Sequence, residues 1–150
     1  ESDFLIVGSM GHTSMIGAGA AQAAPGKKVA ILDGDGSCLM HMGALPILAS
    51  MKLGNVVHFV FNNGSHETVG GMPTVSPIID YEKLALASGY KAYFCAESED
   101  EIDALAQQAF AAEGPVFAEV RVQLGSRKDL GRPTETPVQC RDAFMAYLQK

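Results

Sequence analysis

The segment Val29-Ala30-Ile31-Leu32-Asp33-Gly34-Asp35-Gly36-Ser37 begins as an apolar, β-branched run and ends as a polar, glycine-rich turn. The apolar run predicts a buried parallel strand. Residues 38–52 then repeat apolar side chains at helical spacing, and residues 56–61 predict a second strand, which ends in Asn62-Asn63-Gly64-Ser65. Because the turns after both strands of such a unit emerge at the carboxyl edge of the sheet, we expect Asp35 and Asn63 to be neighbours in space.

Oxygen-bearing side chains and glycines meet at this predicted edge. Mg²⁺ takes about six oxygen ligands and usually shares them with the phosphates of a ligand. Asp35 could supply a carboxylate, Asn63 an amide oxygen and Ser65 a main-chain carbonyl. A tight turn that merely caps a helix is the alternative to this metal-diphosphate site. The positions expected to approach the diphosphate and donate to it are Gly34, Gly36 and Ser37.

Alternating strands and helices predict an α/β fold, a doubly wound parallel sheet with helices on both faces. We expect Ser37 to cap the helix over 38–52 and Pro46 to kink it. Gly89 should end a helix over 81–88. Further strands are predicted over 4–7, 91–95 and 116–120, and further helices from 13 or 14 to 24 and over 142–148. Another helix is predicted to start at a capping box formed by Ser98 and Glu101 and to end at Gly114-Pro115. Residues 62–77 are expected to form a functional loop, and residues 124–139 an extended arm.

The composition favours a single domain in the cytoplasm. A chain of 150 residues can build one core, and 47% hydrophobic residues suit a sheet buried on both faces. No apolar run approaches the roughly 20 residues of a membrane span, and a net charge of −6 argues against a nucleic-acid partner. Three cysteines without paired or metal-binding spacing fit a reducing compartment. Because the chain starts at Glu1 and enters a predicted strand at once, we expect a fragment or one domain of a longer polypeptide.

A dinucleotide-binding fingerprint is a second interpretation of the sequence. Residues 17–22, Gly-Ala-Gly-Ala-Ala-Gln, resemble its beginning, and Asp33 ends the next strand as a ribose-binding acid would. These glycines lie inside a predicted helix rather than at a strand-to-helix turn, and the third glycine is missing. A nucleotide-binding or regulatory module without catalytic activity therefore stays as the alternative class.

The spacing of the two polar turns resembles the signature of thiamine diphosphate-dependent enzymes. Gly34-Asp35-Gly36-Ser37 is followed after about 25 residues by Asn62-Asn63, as in that family. Gly8-Ser9-Met10-Gly11 resembles the segment that holds the aminopyrimidine of the cofactor. The chain is similar, more narrowly, to the phosphonopyruvate and sulfopyruvate decarboxylases. That narrower similarity lies in Gly8–His12, His66, Gly70-Gly71 and the run from Arg127 to Thr134, whereas Glu135 and Gln139-Cys140-Arg141 depart from the subgroup.

The resemblance implies roles for single residues. The Gly8 carbonyl, with Ser9 beside it, would accept a hydrogen bond from the 4′-amino group of the cofactor. Met10 would wedge between the two cofactor rings and keep the cofactor bent. The three ligands named above would hold Mg²⁺. His66 lies in the predicted functional loop and could move a proton or meet an anionic substrate. Met10 and His66 are thus the expected catalytic residues.

The implied reaction is the thiamine diphosphate- and Mg²⁺-dependent decarboxylation of 3-phosphonopyruvate to phosphonoacetaldehyde and CO₂, by a lyase of phosphonate biosynthesis. Sulfopyruvate is the alternative substrate, as in the β-type subunit of sulfopyruvate decarboxylase. In this family a glutamate on a pyrimidine-binding domain activates the cofactor, and this chain offers no candidate for it. We therefore expect the diphosphate-binding half of a homo-oligomer, dimer or larger, with that domain on the same or a separate polypeptide. Arg127, Lys128 and Arg132 could attract the anionic substrate.

Overall fold

Four parallel strands form the central sheet of the structure, a computed structural model that describes residues 2–149. In chain order the elements are α1 Thr13–Ala23, β1 Val29–Gly34, α2 Asp35–Met40, α3 Ala44–Ser50, β2 Val56–Asn62, β3 Ser65–His66, β4 Met72–Pro73, α4 Tyr81–Ser88, β5 Ala92–Ala96, α5 Ile102–Ala111, β6 Val116–Arg121 and α6 Pro137–Leu148, with 3-10 turns at Glu67–Val69, Ser76–Ile78 and Glu99–Glu101.

The strand order of the sheet is β1-β2-β6-β5, and all three pairings are parallel. In this register Gly34 at the end of β1 lies beside Phe61 of β2, and Phe61 lies beside Val120 of β6. The carboxyl ends of these three strands therefore meet at one edge of the sheet. Helix α2, which follows β1, and the loop over residues 62–77, which follows β2, both start from that edge, as the sequence predicted.

Helices cover both faces of the sheet, which confirms the predicted doubly wound α/β class. On one face α1, α3 and α4 pack around Phe117 and Ile31, with Leu48 of α3 and Ala85 of α4 fully buried. On the other face α5 packs on β2, β5 and β6 through Leu105 and Ala109. Burying these side chains is the main favourable term in the stability of the fold. None of the described helices is long and apolar enough to cross a membrane.

Local signals account for the helices that the sequence predicted best. The Asp80 side chain accepts a hydrogen bond from Lys83 N at the start of α4, and Gly89 ends that helix in the left-handed conformation. Ser98 and Glu101 form the predicted capping box. Glu101 accepts from the backbone of Glu97 and Ser98, which lowers the pKa of its carboxyl.

Three predicted elements differ from the structure, and the first is the strand over residues 4–7. This segment is irregular, and Leu5 and Val7 are exposed. It packs instead on α6: the rings of Phe4 and Phe144 lie 5.7 Å apart, and Leu5 N donates to Cys140 Sγ at 3.1 Å. The apolar run therefore serves helix packing, and the prediction of a buried strand was wrong.

The predicted helix over 38–52 is two helices, α2 and α3. Asp35 is the first residue of α2 and Gly34 its N-cap, so Ser37 lies inside the helix and does not cap it. The break falls at residues 41–43, before Pro46. Pro46 belongs to the first turn of α3, where its missing N–H leaves no helical hydrogen bond unmade.

The final helix begins earlier than predicted. Residues 124–136 form the extended arm, but α6 starts at Pro137 rather than at Asp142. The Thr136 side chain accepts from Gln139 N, and Gln139 reaches back to the Thr136 backbone, which completes a capping box with proline in the first turn. The sequence contains this signal, and the apparent lack of apolar periodicity before Asp142 concealed it.

Candidate active site

The carboxylate of Asp35 lies at the carboxyl edge of the sheet, at the start of α2. It is buried, with a relative exposure of 1%. Its Oδ2 atom accepts a hydrogen bond of 2.6 Å from the hydroxyl of Thr74, which belongs to the loop after β4. A buried carboxylate needs such a partner or a cation, because desolvation otherwise disfavours its charge. Sequence reasoning did not identify Thr74.

The loop over residues 62–77 folds back towards α2. Thr74 N donates to Gly64 O at 2.9 Å, and the short β3–β4 hairpin pairs His66 with Met72. Asn63 Oδ1 accepts from Ser65 N at 3.0 Å. These bonds bring two of the predicted metal ligands, Asn63 and Ser65, into one turn at the edge of the sheet that carries Asp35.

The ring of His66 packs on Gly36, the second residue of α2. A Cβ atom added at Gly36 would overlap this ring, so only glycine allows the close approach. His66 Nδ1 is buried and has no hydrogen-bond partner among residues 2–149. A buried, unpartnered ring nitrogen is the arrangement expected where a polar ligand completes the contacts.

The turn over residues 8–11 is tied to the same helix. Gly8 and Gly11 adopt positive φ values of 75° and 89°. Gly11 N donates to Ser37 Oγ at 2.9 Å, which leaves the hydroxyl proton of Ser37 available for an anion. Ser9 and Met10, in the same turn, are half-buried. The structure therefore brings the predicted residues of this turn next to those of α2.

The oxygen atoms at this edge suit a hard divalent cation as ligands. Asp35 offers a carboxylate, and Asn63 Oδ1 keeps a second lone pair beyond its bond to Ser65 N. A Cβ built at Gly34 meets no heavy atom within 4 Å, so the backbone just before α2 is open to a ligand. These observations fit Mg²⁺ with a diphosphate, since Mg²⁺ selects oxygen ligands and shares phosphate oxygens.

A buried polar network lies directly beneath this edge. His58 of β2 is fully buried, and its ring nitrogens lie 3.2 Å from Asp33 Oδ2 and 3.0 Å from the Tyr90 hydroxyl. Burial raises the pKa of Tyr90 above its usual range. Asp33, predicted as a possible ribose-binding acid, is buried in this network. A histidine inside an otherwise apolar strand was the available signal for it.

Cys38 of α2 contacts the same network. The Cys38 Sγ atom, a carboxylate oxygen of Asp33 and a ring nitrogen of His58 all lie within 4.8 Å of one another. Burial, and then the nearby charges of Asp33 and Asp35, raise the pKa of Cys38 from 9.0 to about 12. The thiol is therefore protonated at neutral pH.

A second buried carboxylate supports the start of the loop. Glu119 of β6 is 2% exposed and accepts from Asn62 Nδ2 at 2.7 Å and from the Tyr93 hydroxyl. The other end of the Asn62 side chain accepts from Ser76 Oγ at 2.7 Å. Asn62 therefore joins the sheet to both ends of the loop, whereas Asn63 stays available at its surface.

The predicted basic residues are not part of this cluster. Arg127 is exposed on the arm and lies 3.6 Å from Asp129, a surface ion pair. Lys128 and Arg132 are exposed on the same arm. Gly70 and Gly71 adopt positive φ values of 109° and 72° in the loop, where Gly71 N donates to His66 O.

Comparison with known proteins identifies the family of the chain. Residues 3–120 match the family described as thiamine pyrophosphate enzyme, C-terminal TPP binding domain. The chain therefore belongs to the thiamine pyrophosphate-dependent enzymes, through their cofactor-binding C-terminal domain. This confirms the family resemblance seen in the sequence.

Two relatives are phosphonopyruvate decarboxylases. The one from Streptomyces viridochromogenes is 38% identical over 149 residues, which cover 99% of this chain and 37% of the relative. The one from Streptomyces hygroscopicus is 35% identical, with coverage of 98% and 36%. The chain thus spans little more than a third of the length of these proteins.

Two further comparisons extend the similarity. Sulfopyruvate decarboxylase subunit beta from Methanothermobacter thermautotrophicus is 37% identical over 123 residues, which cover 82% of this chain and 63% of the relative. The solved structure of a putative thiamin diphosphate-dependent enzyme from Mycobacterium smegmatis aligns with a TM-score of 0.55 and 28% identity, over 65% of this chain and 18% of that one. The chain is therefore similar in sequence both to phosphonopyruvate decarboxylases and to a sulfopyruvate decarboxylase subunit. It is similar in fold to a thiamin diphosphate-dependent enzyme.

Proposed function

We propose that this chain is the diphosphate-binding half of a thiamine diphosphate- and Mg²⁺-dependent decarboxylase that acts on a small anionic 2-keto acid, 3-phosphonopyruvate, to give phosphonoacetaldehyde and CO₂. The observation that carries the proposal is the junction of α2 with the loop over residues 62–77. There Asp35, held by Thr74, shares one edge of the sheet with Asn63. The identity of 38% to a phosphonopyruvate decarboxylase supports the choice of substrate.

The residues of this chain divide the binding task between two anchors. Asp35, Asn63 and the Ser65 carbonyl would hold the metal, which neutralises the diphosphate. Gly34, which is open, would let the diphosphate approach the start of α2 beside Gly36, and the Ser37 hydroxyl, which already accepts from Gly11 N, would donate to it.

At the other anchor the turn over residues 8–11 would hold the aminopyrimidine. The Gly8 carbonyl would accept from the 4′-amino group, beside Ser9, and Met10 would fill the space between the two rings. When bound, thiamine diphosphate supplies the electron sink for loss of CO₂ from a 2-keto acid. His66 would hold or accept a proton at Nδ1, which has no partner among the described residues.

We further propose that the site is completed by a pyrimidine-binding domain, which supplies the activating glutamate from the same or a separate polypeptide in a cytoplasmic homo-oligomer. The single domain described here would then be one half of a larger enzyme. Support comes from the relatives, of which this chain covers 37% and 36%. Decarboxylation of sulfopyruvate is the second candidate, favoured by the 37% identity to a protein named as a beta subunit.

Calorimetry on the complete protein tests the proposal. Thiamine diphosphate should bind only with Mg²⁺, and Asp35→Ala should abolish that binding. The control is Asp103→Ala, which removes an exposed carboxylate from the first turn of α5 and should bind as the wild type does. Binding of NADH without any effect of Mg²⁺ would instead indicate the nucleotide-binding module.

A decarboxylation assay with phosphonopyruvate and sulfopyruvate side by side then tests the substrate. Release of CO₂ from phosphonopyruvate with the higher kcat/KM is the expected result. A higher kcat/KM for sulfopyruvate would replace the first substrate by the second. No release of CO₂ from either compound by a protein that binds the cofactor would refute both.

A further inference from the structure

Glu67 connects a predicted metal ligand to the arm that follows the sheet. Its Oε2 atom accepts from Asn63 Nδ2 at 2.8 Å, and its Oε1 atom accepts from Gly125 N at 2.7 Å. Gly125 has a φ of 119° and lies at the start of the arm, residues 124–136. Glu67 thus joins the loop to the arm, and its partner Gly125 lies 58 residues further along the chain.

The first of these bonds decides which end of the Asn63 amide is available. An ionised carboxylate only accepts hydrogen bonds, so Glu67 selects the NH₂ group of Asn63. The oxygen, Oδ1, consequently points the other way, where it accepts from Ser65 N at 3.0 Å and keeps a lone pair. Mg²⁺ takes oxygen and not an amide NH₂. Glu67 therefore holds Asn63 in the one orientation in which it can bind the cation.

The second bond makes the arm sensitive to that cation. A cation on Asn63 Oδ1 draws electron density from the amide and makes Nδ2–H a stronger donor to Glu67, since hydrogen bonds in a chain polarise one another. Once Oε2 is held by Asn63, Oε1 is fixed in place for Gly125 N, so the second bond costs less side-chain entropy. Coupling of this kind is reciprocal, so docking of the arm raises the affinity for the cation.

We propose that Glu67 is a positioning residue that couples occupation of the metal site to docking of the arm over residues 124–136. The inference rests on the proposed function, because it takes Asn63 as a ligand of Mg²⁺. Glu67 acts through Asn63 and Gly125 and does not touch the reacting atoms. The arm also carries the basic residues Arg127 and Lys128, so its position sets where two exposed cations lie relative to the site.

The test uses the complete enzyme with two readouts that do not depend on turnover. Calorimetry measures the Kd for Mg²⁺ in the presence of thiamine diphosphate. Limited trypsin digestion followed by mass spectrometry measures cleavage after Arg127 and Lys128, with and without the cofactor and Mg²⁺. In the wild type we expect the cofactor and Mg²⁺ together to slow this cleavage severalfold.

The variants are Glu67→Ala, which loses both bonds, and Glu67→Gln, which keeps one acceptor oxygen. We expect Glu67→Ala to raise the Kd for Mg²⁺ roughly 10–100-fold, as for other residues that orient a ligand, and to remove the protection of the arm. Glu67→Gln should fall between Glu67→Ala and the wild type. The matched control is Glu135→Ala, which removes the same charge from the exposed arm and should behave as the wild type.

Each other outcome contradicts the inference in a recognisable way. If Glu67→Ala and Glu67→Gln bind Mg²⁺ within twofold of the wild type, or if their arms stay protected by the cofactor, Glu67 is only a surface contact. Those results would leave the proposed function intact. If the wild type itself shows no Mg²⁺-dependent binding of thiamine diphosphate, the proposed function fails, and the coupling fails with it.

Discussion

The hydroxyl of Thr74 donates a hydrogen bond of 2.6 Å to Asp35 Oδ2, across 39 residues of sequence. The same oxygen of Thr74 accepts from Ser76 N at 3.2 Å, so the loop itself fixes where the hydroxyl points. One oxygen of the carboxylate is thereby oriented by a neutral group, which leaves the charge of Asp35 for a cation. The end of the loop thus reaches the first residue of α2.

Replacing Thr74 by Val should weaken the metal site. Val keeps the volume but removes both the donor to Asp35 and the acceptor for Ser76 N, so Asp35 loses its orientation, and we expect the Kd for Mg²⁺ to rise roughly 10–100-fold. Thr74→Ser retains the hydroxyl and should stay close to the wild type. Titration of the complete enzyme with Mg²⁺ in the presence of thiamine diphosphate measures both variants. Equal affinities for Thr74→Val and Thr74→Ser would contradict this role.

Two glycines in α1 should respond to alanine in opposite directions. A Cβ at Gly17 would overlap the Ile31 side chain, whereas a Cβ at Gly19 meets no heavy atom within 4 Å. We expect Gly17→Ala to lower the free energy of unfolding by about 1–3 kcal/mol, the usual cost of overpacking. Gly19→Ala should raise it by roughly 0.5–1 kcal/mol, because alanine favours the helix. Urea unfolding of the two variants decides the matter, and the same sign for both would refute it.

Stability at alkaline pH should depend on Cys38. Burial, with Asp33 and Asp35 nearby, raises the pKa of this thiol from 9.0 to about 12. Below pH 9.0 the thiol is protonated in the folded and the unfolded chain alike, so its contribution is fully present. Between pH 9.0 and about 12 only the unfolded chain loses the proton. Stability therefore falls as pH rises, at about 1.4 kcal/mol per pH unit from this group.

The variant Cys38→Ala removes that contribution. Its unfolding free energy should differ from the wild type by a constant amount between pH 6 and 8, and the difference should shrink as the pH rises above 9. Urea unfolding across this range measures both quantities, and the constant interval serves as the internal control. A difference that stays constant up to pH 11 would show that the thiol ionises normally in the folded chain.

Patterns within one segment predicted much of the fold. Gly89 ended α4 where expected, and Ser98 with Glu101 formed the expected capping box, because such signals act over a few residues. The neighbourhood of Asp35 and the turn after β2 also followed from sequence, since parallel strands that are adjacent in the sheet end at the same edge. The run over residues 4–7 misled the interpretation because apolar composition does not say what a segment packs against.

Contacts between distant segments could not be predicted from the sequence in the same way. The bond from Thr74 to Asp35, the pair of His58 with Asp33 and the bond from Asn62 to Glu119 each depend on register and on side-chain direction. No local pattern specifies these. The family resemblance suggested roles for residues in the polar turns, whereas the side chains that hold those turns in place emerged only from three-dimensional packing.

The order β1-β2-β6-β5 has a consequence for how the chain folds during synthesis. The last strand made, β6, lies between β2 and β5, and these two strands pair with β6 and not with each other. Until Arg121 at the end of β6 has left the ribosome, β2 and β5 each keep an unpaired edge, which is prone to aggregation. The bond from Asn62 to Glu119 is among the last to form. The loop that bears Asn63 therefore acquires its support from Glu119 only after translation has passed the sheet.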